Sequence, residues 1–172
     1  LLQAAWPTAE VSLNEGGGGG AASWEPYISS MLVGKGHIAH ALICSRSEGT
    51  VFASTSNFTL KTYQTEIVQE DGTDVLETVN EAANLVQLMK GGAKPSQGLR
   101  LNQDKKYQIL RAFEEEDVGY VVYGKKMKGG CCVAVSNTAI VVGVFDELKG
   151  HTSAGCNTNV TELVKYLKAN NS

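Results

Sequence analysis

The chain has 172 residues, the length of a single domain, and 42% of them are apolar, enough to fill one sizeable core. The formal net charge is −3 and the sequence has no long basic stripe, which argues against a nucleic-acid-binding protein. No apolar run approaches the ~20 residues that cross a bilayer, and no secretory signal opens the sequence, so we expect a soluble, cytosolic protein.

The cysteines do not have the spacing of metal ligands. Cys131 and Cys132 are adjacent and would point to opposite faces of a strand, and no CxxC pair is present. An even number of cysteines is compatible with two disulfides, but disulfide-rich scaffolds are usually shorter and denser in cysteine. We therefore expect reduced, mostly buried thiols, with no metal and no cofactor.

Residues 1–22 are predicted to lie outside the fold, and residues 23–172 to form one domain. Five glycines at 16–20, followed by two alanines, are typical of a flexible tether. The preceding segment starts without Met and contains Trp6-Pro7. It is either an engineered tag or fused peptide, which we favour, or a natural extension.

The first half of the domain predicts a helix followed by two strands. Ser23 can cap an amphipathic helix that tolerates Pro26 in its first turn, and glycines at 34 and 36 end it. Residues 38–44 indicate a buried strand, and residues 50–54 a second strand after a short turn.

An inserted hairpin is predicted at residues 64–78. Asp71-Gly72 is a strong two-residue turn signal between two β-prone segments, and the many acidic side chains indicate that the hairpin projects into solvent. A helix follows from Asn80 to about Lys90, where glycines end it.

The second half predicts closely spaced strands and a closing helix. The candidate strands are residues 98–101, 107–113, 119–123, 130–136 and 139–145. The closing helix, residues 157–169, carries a stripe of four apolar side chains: Val160, Leu163, Val164 and Leu167. Helices that cover an antiparallel sheet predict the α+β class.

Six segments in this order resemble the profilin family. They are Ser23-Trp24-Glu25-Pro26-Tyr27, residues 49–54, residues 98–101 with 106–111, residues 123–130, residues 142–147 and residues 157–167. The most specific is "GL-x-L…K-Y-x-x-L-R" at 98–111. The resemblance implies a central antiparallel sheet with the N- and C-terminal helices on one face and a further helix on the other.

Two features depart from the common family pattern. The acidic hairpin is similar to the insertion of apicomplexan and related protist profilins. The C-terminus, Ala169-Asn170-Asn171-Ser172, lacks the usual final aromatic residue. The chain therefore resembles a divergent, protist-like profilin.

The resemblance implies a site for proline-rich peptides, such as formin segments, where the terminal helices meet. The matching positions are Trp24, Tyr27, Phe52, Tyr166 and Leu167. Phe52 stands where the family usually has Trp and cannot donate a hydrogen bond, so we expect weak binding. Without the resemblance, the same aromatic residues would indicate ordinary packing of helices on a sheet.

The resemblance also implies an actin-monomer-binding surface, and hence regulation of actin polymerisation in the cytoplasm and cytoskeleton. The matching positions are Arg111, Lys125, Lys126, Asn157, Thr161 and Glu162. Alone, these residues would indicate a solvated basic patch. The family often binds phosphoinositides, but the acidic residues at 114–117 weaken that expectation here. We expect a monomer.

An enzyme is not predicted. His40 and Cys44 lie four residues apart on a predicted strand, but the sequence contains no nucleophile elbow, and the glycine run lacks the Lys-Ser/Thr of a phosphate-binding loop. The alternative is a ligand-sensing or dimerisation module of the PAS or roadblock kind, which shares the coarse order of elements and would not bind actin.

Overall fold

The computed structural model describes residues 21–91, 94–104 and 106–172. Eight strands and three α-helices follow one another in the order expected of an α+β protein. The strands are β1 His40–Ser45, β2 Val51–Ser54, β3 Thr62–Val68, β4 Asp74–Asn80, β5 Gln108–Glu115, β6 Gly119–Lys126, β7 Gly129–Val135 and β8 Ala139–Asp146. The α-helices are α1 Ala21–Pro26, α2 Glu81–Leu88 and α3 Ser153–Ala169. Of the predicted N-terminal segment, residues 1–20 lie outside the described residues.

Six strands form one antiparallel sheet in the order β2-β1-β8-β7-β6-β5. Its two central strands are buried along almost their whole length, because helices or loops cover both faces. Residues 136–138 link a hairpin, since β7 pairs with β8 from Val135↔Ile140 to Gly129↔Asp146.

The terminal helices share one face of this sheet, and α2 lies on the other. Ile28, Leu163 and Leu167 belong to the first core, together with Val121 and Val141 of the sheet. In the second core, Leu85 and Leu88 of α2 pack with the strand residues that point to the other face of the sheet. The expected α+β fold is therefore confirmed.

Within the described part of the chain, no helix combines the length and apolar character needed to cross a bilayer.

The first helix differs from the predicted one. After α1 the chain continues as a π-helical segment over Tyr27–Leu32 and a 3-10 turn over Val33–Lys35. The wider turn brings residues 27 and 28 above residues 31 and 32, so that all four side chains are buried. An ordinary α-helix was predicted because its 3.6-residue period explains the same apolar residues.

The predicted strand at residues 98–101 is wrong. Only Leu99 pairs, in an isolated bridge to Tyr107. Gly98, Asn102 and Gln103 have φ angles of 76°, 57° and 56°, and these left-handed conformations curl the segment into turns that cannot continue a ladder.

The inserted hairpin is confirmed as a separate two-stranded sheet. Strands β3 and β4 pair from Thr62↔Asn80 to Val68↔Asp74, which is longer than predicted. The acidic outer end is exposed, together with Val68 and Leu76.

Helix α3 can lie close to the sheet because of a glycine in β8. A Cβ atom at Gly143 would stand 2.7 Å from Val160 Cγ2 and 3.2 Å from the Cys156 sulfur. Any larger residue there would push α3 away from the strands. This close packing sets the position of the functional side chains that α3 carries.

Candidate functional site

Four aromatic side chains from three parts of the chain form one cluster, which we call the aromatic cluster: Trp24, Tyr27, Phe52 and Tyr166. The Trp24 ring stacks on Phe52 of β2, with 5.3 Å between centroids, and meets Tyr27 edge to face at 5.8 Å. Tyr27 in turn contacts Tyr166 of α3 at 6.0 Å. The cluster therefore joins both terminal helices to an edge strand.

The cluster is only partly covered. Trp24, Phe52 and Tyr166 are half-buried, whereas Tyr27 is 8% exposed. Burial, and the neighbouring Tyr166 with which it shares a hydrogen bond, raise the pKa of Tyr27. Its phenol therefore stays protonated at neutral pH. The exposed ring faces and polar tips are suited to a ligand that combines apolar rings with carbonyl acceptors.

Leu167, predicted for the same site, is 2% exposed and belongs to the core beneath the aromatic rings. The structure therefore brings four of the five predicted residues together in the aromatic cluster. Leu167 supports them from below by packing between α3 and the sheet.

Arg111 of β5 and Lys125 of β6 lie on the same face of the sheet as α3. Arg111 pairs across the ladder with Tyr123, two residues before Lys125. The Arg111 guanidinium lies 4.1 Å from the centroid of the Phe113 ring, and Phe113 meets Tyr123 edge to face at 5.2 Å. This stacking holds the long arginine side chain in place while leaving its charge at the surface.

A small groove of about 210 Å³ joins these strands to the beginning of α3. Lys125 and Asn157 both line it, together with Leu110, Tyr123, Phe145, Glu147 and Ser153. One turn further along α3, the Thr161 hydroxyl donates to the Asn157 carbonyl at 2.9 Å, and Glu162 is exposed beside it. We call Arg111, Lys125, Asn157, Thr161 and Glu162 the basic-strand surface.

Lys126 does not join this surface. Its side chain lies on the opposite face of the sheet, where Nζ is 2.8 Å from the Asp104 carboxylate and 5.2 Å from the centroid of the Tyr107 ring. Neighbouring residues of a strand point to opposite faces. The two lysines, which the sequence presents as a pair, therefore have different surroundings.

Several groove residues were not predicted. Leu110 is 59% exposed because β5 has an irregular register between Ile109 and Arg111, which strand alternation cannot foresee. Glu147 lies in a 3-10 turn after β8, and its N–H donates to the Lys128 carbonyl. The pairing of β7 with β8 brings the turn at Glu147 next to the turn at Lys128, and the sequence does not show this proximity.

The cysteines are buried, and Cys131 borders the groove beside Lys125. All four are buried free thiols. Burial raises the pKa of Cys44 and of Cys156 to about 12, and it raises the pKa of Cys131 and Cys132 as well. Across residues 21–91, 94–104 and 106–172, no group of three or more His, Cys, Asp or Glu side chains is arranged to hold a metal ion.

Comparison with known sequences places these features in one family. The Profilin family model matches residues 22–172. The profilin of Tetrahymena pyriformis is 29% identical over 131 residues, which cover 73% of this chain and 79% of the relative. Profilin-A of Physarum polycephalum is 28% identical over 148 residues, which cover 86% and 98%.

Solved structures show the same fold. Acanthamoeba castellanii profilin IB superposes with a TM-score of 0.63 at 22% identity, over 87% of this chain and 99% of the other. Mouse profilin IIa, in complex with a double repeat from the FH1 domain of mDia1, gives 0.59 at 17% identity, over 87% and 99%. LokiProfilin2, in complex with rabbit actin, gives 0.54 at 16% identity, over 84% and 95%.

Proposed function

The chain belongs to the profilin family, and from that premise we propose that it binds monomeric actin through the basic-strand surface and proline-rich peptides through the aromatic cluster. By binding actin monomers it regulates actin polymerisation. The observation that carries the proposal is the assembly of the aromatic cluster from both terminal helices and β2, apart from the groove of Lys125 and Asn157 at the beginning of α3.

The aromatic cluster has the chemistry that a proline-rich ligand needs. A polyproline II segment is already extended and loses little entropy on docking between rings. Its carbonyls have no partners within the segment, so the Trp24 indole N–H and the tyrosine hydroxyls can donate to them. Phe52 has no such donor, which supports weak binding. The related mouse profilin IIa was solved with a formin-type FH1 repeat.

The basic-strand surface is suited to a partner with acidic groups. Arg111 is held by its stacking on Phe113, and Lys125 borders a groove into which a partner side chain can enter. Exposed charges of this kind increase the rate of encounter and set the orientation more than they add affinity. LokiProfilin2 was solved with actin bound.

The protein acts by binding and not by catalysis. Its thiols are buried and have raised pKa values, so they do not supply a thiolate nucleophile at neutral pH.

We place the protein in the cytoplasm, associated with the actin cytoskeleton, as a monomer. The family match disfavours the PAS-like or roadblock-like alternative. Phosphoinositide binding stays a prediction, which vesicle co-sedimentation would test.

Two charge reversals and the removal of one aromatic side chain test the proposal. We expect Lys125→Glu and Arg111→Glu to weaken binding to labelled monomeric actin about tenfold or more, because each reverses a charge in the contact. Both variants should bind a fluorescent decaproline peptide normally. Trp24→Ala should show the opposite pattern: it should no longer bind the decaproline peptide but should still slow actin polymerisation.

The adjacent lysine supplies the matched control. Lys126→Glu makes the same charge change one residue away, on the opposite face and beside Asp104, so we expect a much smaller effect on actin. An equal loss in the Lys125 and Lys126 variants would contradict the assigned surface. Unchanged actin polymerisation in the presence of the unaltered protein would contradict the function itself.

A further inference from the structure

A second groove lies next to the aromatic cluster, at the end of the six-stranded sheet. It measures about 520 Å³ and is formed where four parts of the chain meet: the turn after β1, Phe52 of β2, the turn between β7 and β8, and the residues just after α2. Its lining residues are Ser45, Arg46, Ser47, Phe52, Lys90, Asn137 and Thr138. None of the assigned binding residues except Phe52 contributes to it.

The two charged side chains that line this groove are both basic. Arg46 and Lys90 are both exposed, and none of the described residues that line the groove is acidic. The Arg46 side chain is anchored, since its Nη1 donates to the Ser136 carbonyl at 2.8 Å while its backbone N–H donates to the Thr138 carbonyl. The guanidinium uses one nitrogen in this bond and keeps further N–H groups for a carboxylate or phosphate.

The groove is continuous with the aromatic cluster through one ring. Phe52 stacks on Trp24 and also lines the groove. A different groove, which Glu25 lines next to Trp24 in the sequence, contains Lys61 as well as Glu25, so its charge is mixed. Of these two grooves, the one beyond Phe52 is lined by basic side chains without an acidic one among the described residues.

We propose that the groove of Arg46 and Lys90 binds acidic residues that flank the proline-rich segment of a peptide ligand. This inference rests on the proposed binding of proline-rich peptides at the aromatic cluster. A polyproline II chain rises about 3.1 Å per residue, so residues just beyond a tract seated on Trp24 and Phe52 reach the neighbouring groove. The added ion pairs compensate in part for the donor that Phe52 lacks.

Labelled peptides of three kinds test the inference: a decaproline flanked by serines, the same tract with Asp-Glu-Asp before it, and the same tract with Asp-Glu-Asp after it. Binding is measured by fluorescence polarisation at low salt. We expect an acidic flank at one end to strengthen binding about threefold to tenfold, because exposed ion pairs have modest energies. The gain should shrink as salt is added.

Substitutions then locate the effect. Arg46→Gln/Lys90→Gln should remove the gain from the acidic flank and leave the serine-flanked peptide unaffected. Lys90→Gln alone keeps the anchored arginine and should remove part of the gain. Lys128→Gln/Lys149→Gln removes two exposed charges at the opposite end of the sheet and should keep all of it. Thermal unfolding checks that each variant is folded.

The outcomes separate the two proposals. If the serine-flanked peptide fails to bind, the proposed proline-rich site is wrong. If that peptide binds but neither acidic flank helps, or if the gain survives in Arg46→Gln/Lys90→Gln, the groove assignment is overturned. Loss of binding to phosphoinositide vesicles in that variant, without any flank effect, would assign the groove to a membrane and overturn the inference.

Discussion

Glu81 has a carboxylate with no exposure to solvent, at the point where the hairpin returns to the domain. It accepts hydrogen bonds from the Lys61 N–H at 2.8 Å, the Tyr63 hydroxyl at 3.0 Å and the Gln103 N–H at 2.8 Å. Burial and the bond to Glu81 raise the pKa of Tyr63 to about 12. One side chain thus ties the base of the hairpin, α2 and the loop before β5.

We expect Glu81→Ala to lower the free energy of unfolding by about 2–4 kcal/mol, because it removes the buried acceptor shared by two backbone N–H groups and the Tyr63 hydroxyl. Glu81→Gln keeps the shape and one oxygen, so its loss should be smaller. Urea unfolding measures both. A loss below about 0.5 kcal/mol for Glu81→Ala would mean that water replaces the carboxylate and that the contacts are not structural.

At the scale of elements, the junction between β4 and α2 depends on one residue. Asn80 is the last residue of β4, and its side-chain oxygen accepts from the Ala83 N–H at 3.0 Å, which caps α2. Strand and helix meet with no loop between them, so this cap lies at the junction that the Glu81 hydrogen bonds also hold.

Asn80→Ala should lower the free energy of unfolding by about 1 kcal/mol, the usual cost of losing an N-cap. Asn80→Ser retains a capping oxygen and should restore most of the stability. Urea unfolding compares the two variants. Equal stability of the Ala and Ser variants would show that packing of α2 on the sheet, and not its cap, determines where the helix begins.

At the scale of the whole molecule, one sheet separates two cores, and the cysteines are divided between them. Cys132 and Cys156 lie in the core under the terminal helices, and Cys44 and Cys131 lie in the core under α2. Neither core is open to solvent at these positions, since no cysteine is more than 1% exposed.

We expect the thiols of the folded protein not to react with Ellman's reagent at pH 8 on the timescale of minutes. Burial suppresses the thiolate, as the raised pKa of about 12 for Cys44 and Cys156 indicates, and it excludes the reagent. In denaturant all four should react. A thiol that reacts rapidly in the native protein would contradict the burial assigned to it.

Much of the fold could be predicted from short stretches of sequence. Asp71-Gly72 indicates the hairpin, and the stripe from Val160 to Leu167 indicates α3, because turn chemistry and apolar periodicity are local properties. Local patterns failed at residues 98–101, where left-handed residues bend an apparently extended segment, and at Tyr27–Leu32, where a π-helical turn buries the same side chains.

By itself, the sequence determined the order of most elements, the family resemblance and the aromatic residues proposed to bind a peptide. The tertiary structure decided which charges act together. It placed Lys125 beside Asn157 and Lys126 beside Asp104, and it joined Arg46, Lys90 and Phe52 in one groove. The physical reason is that a surface depends on strand register and on contacts between distant segments, neither of which a single stretch of chain encodes.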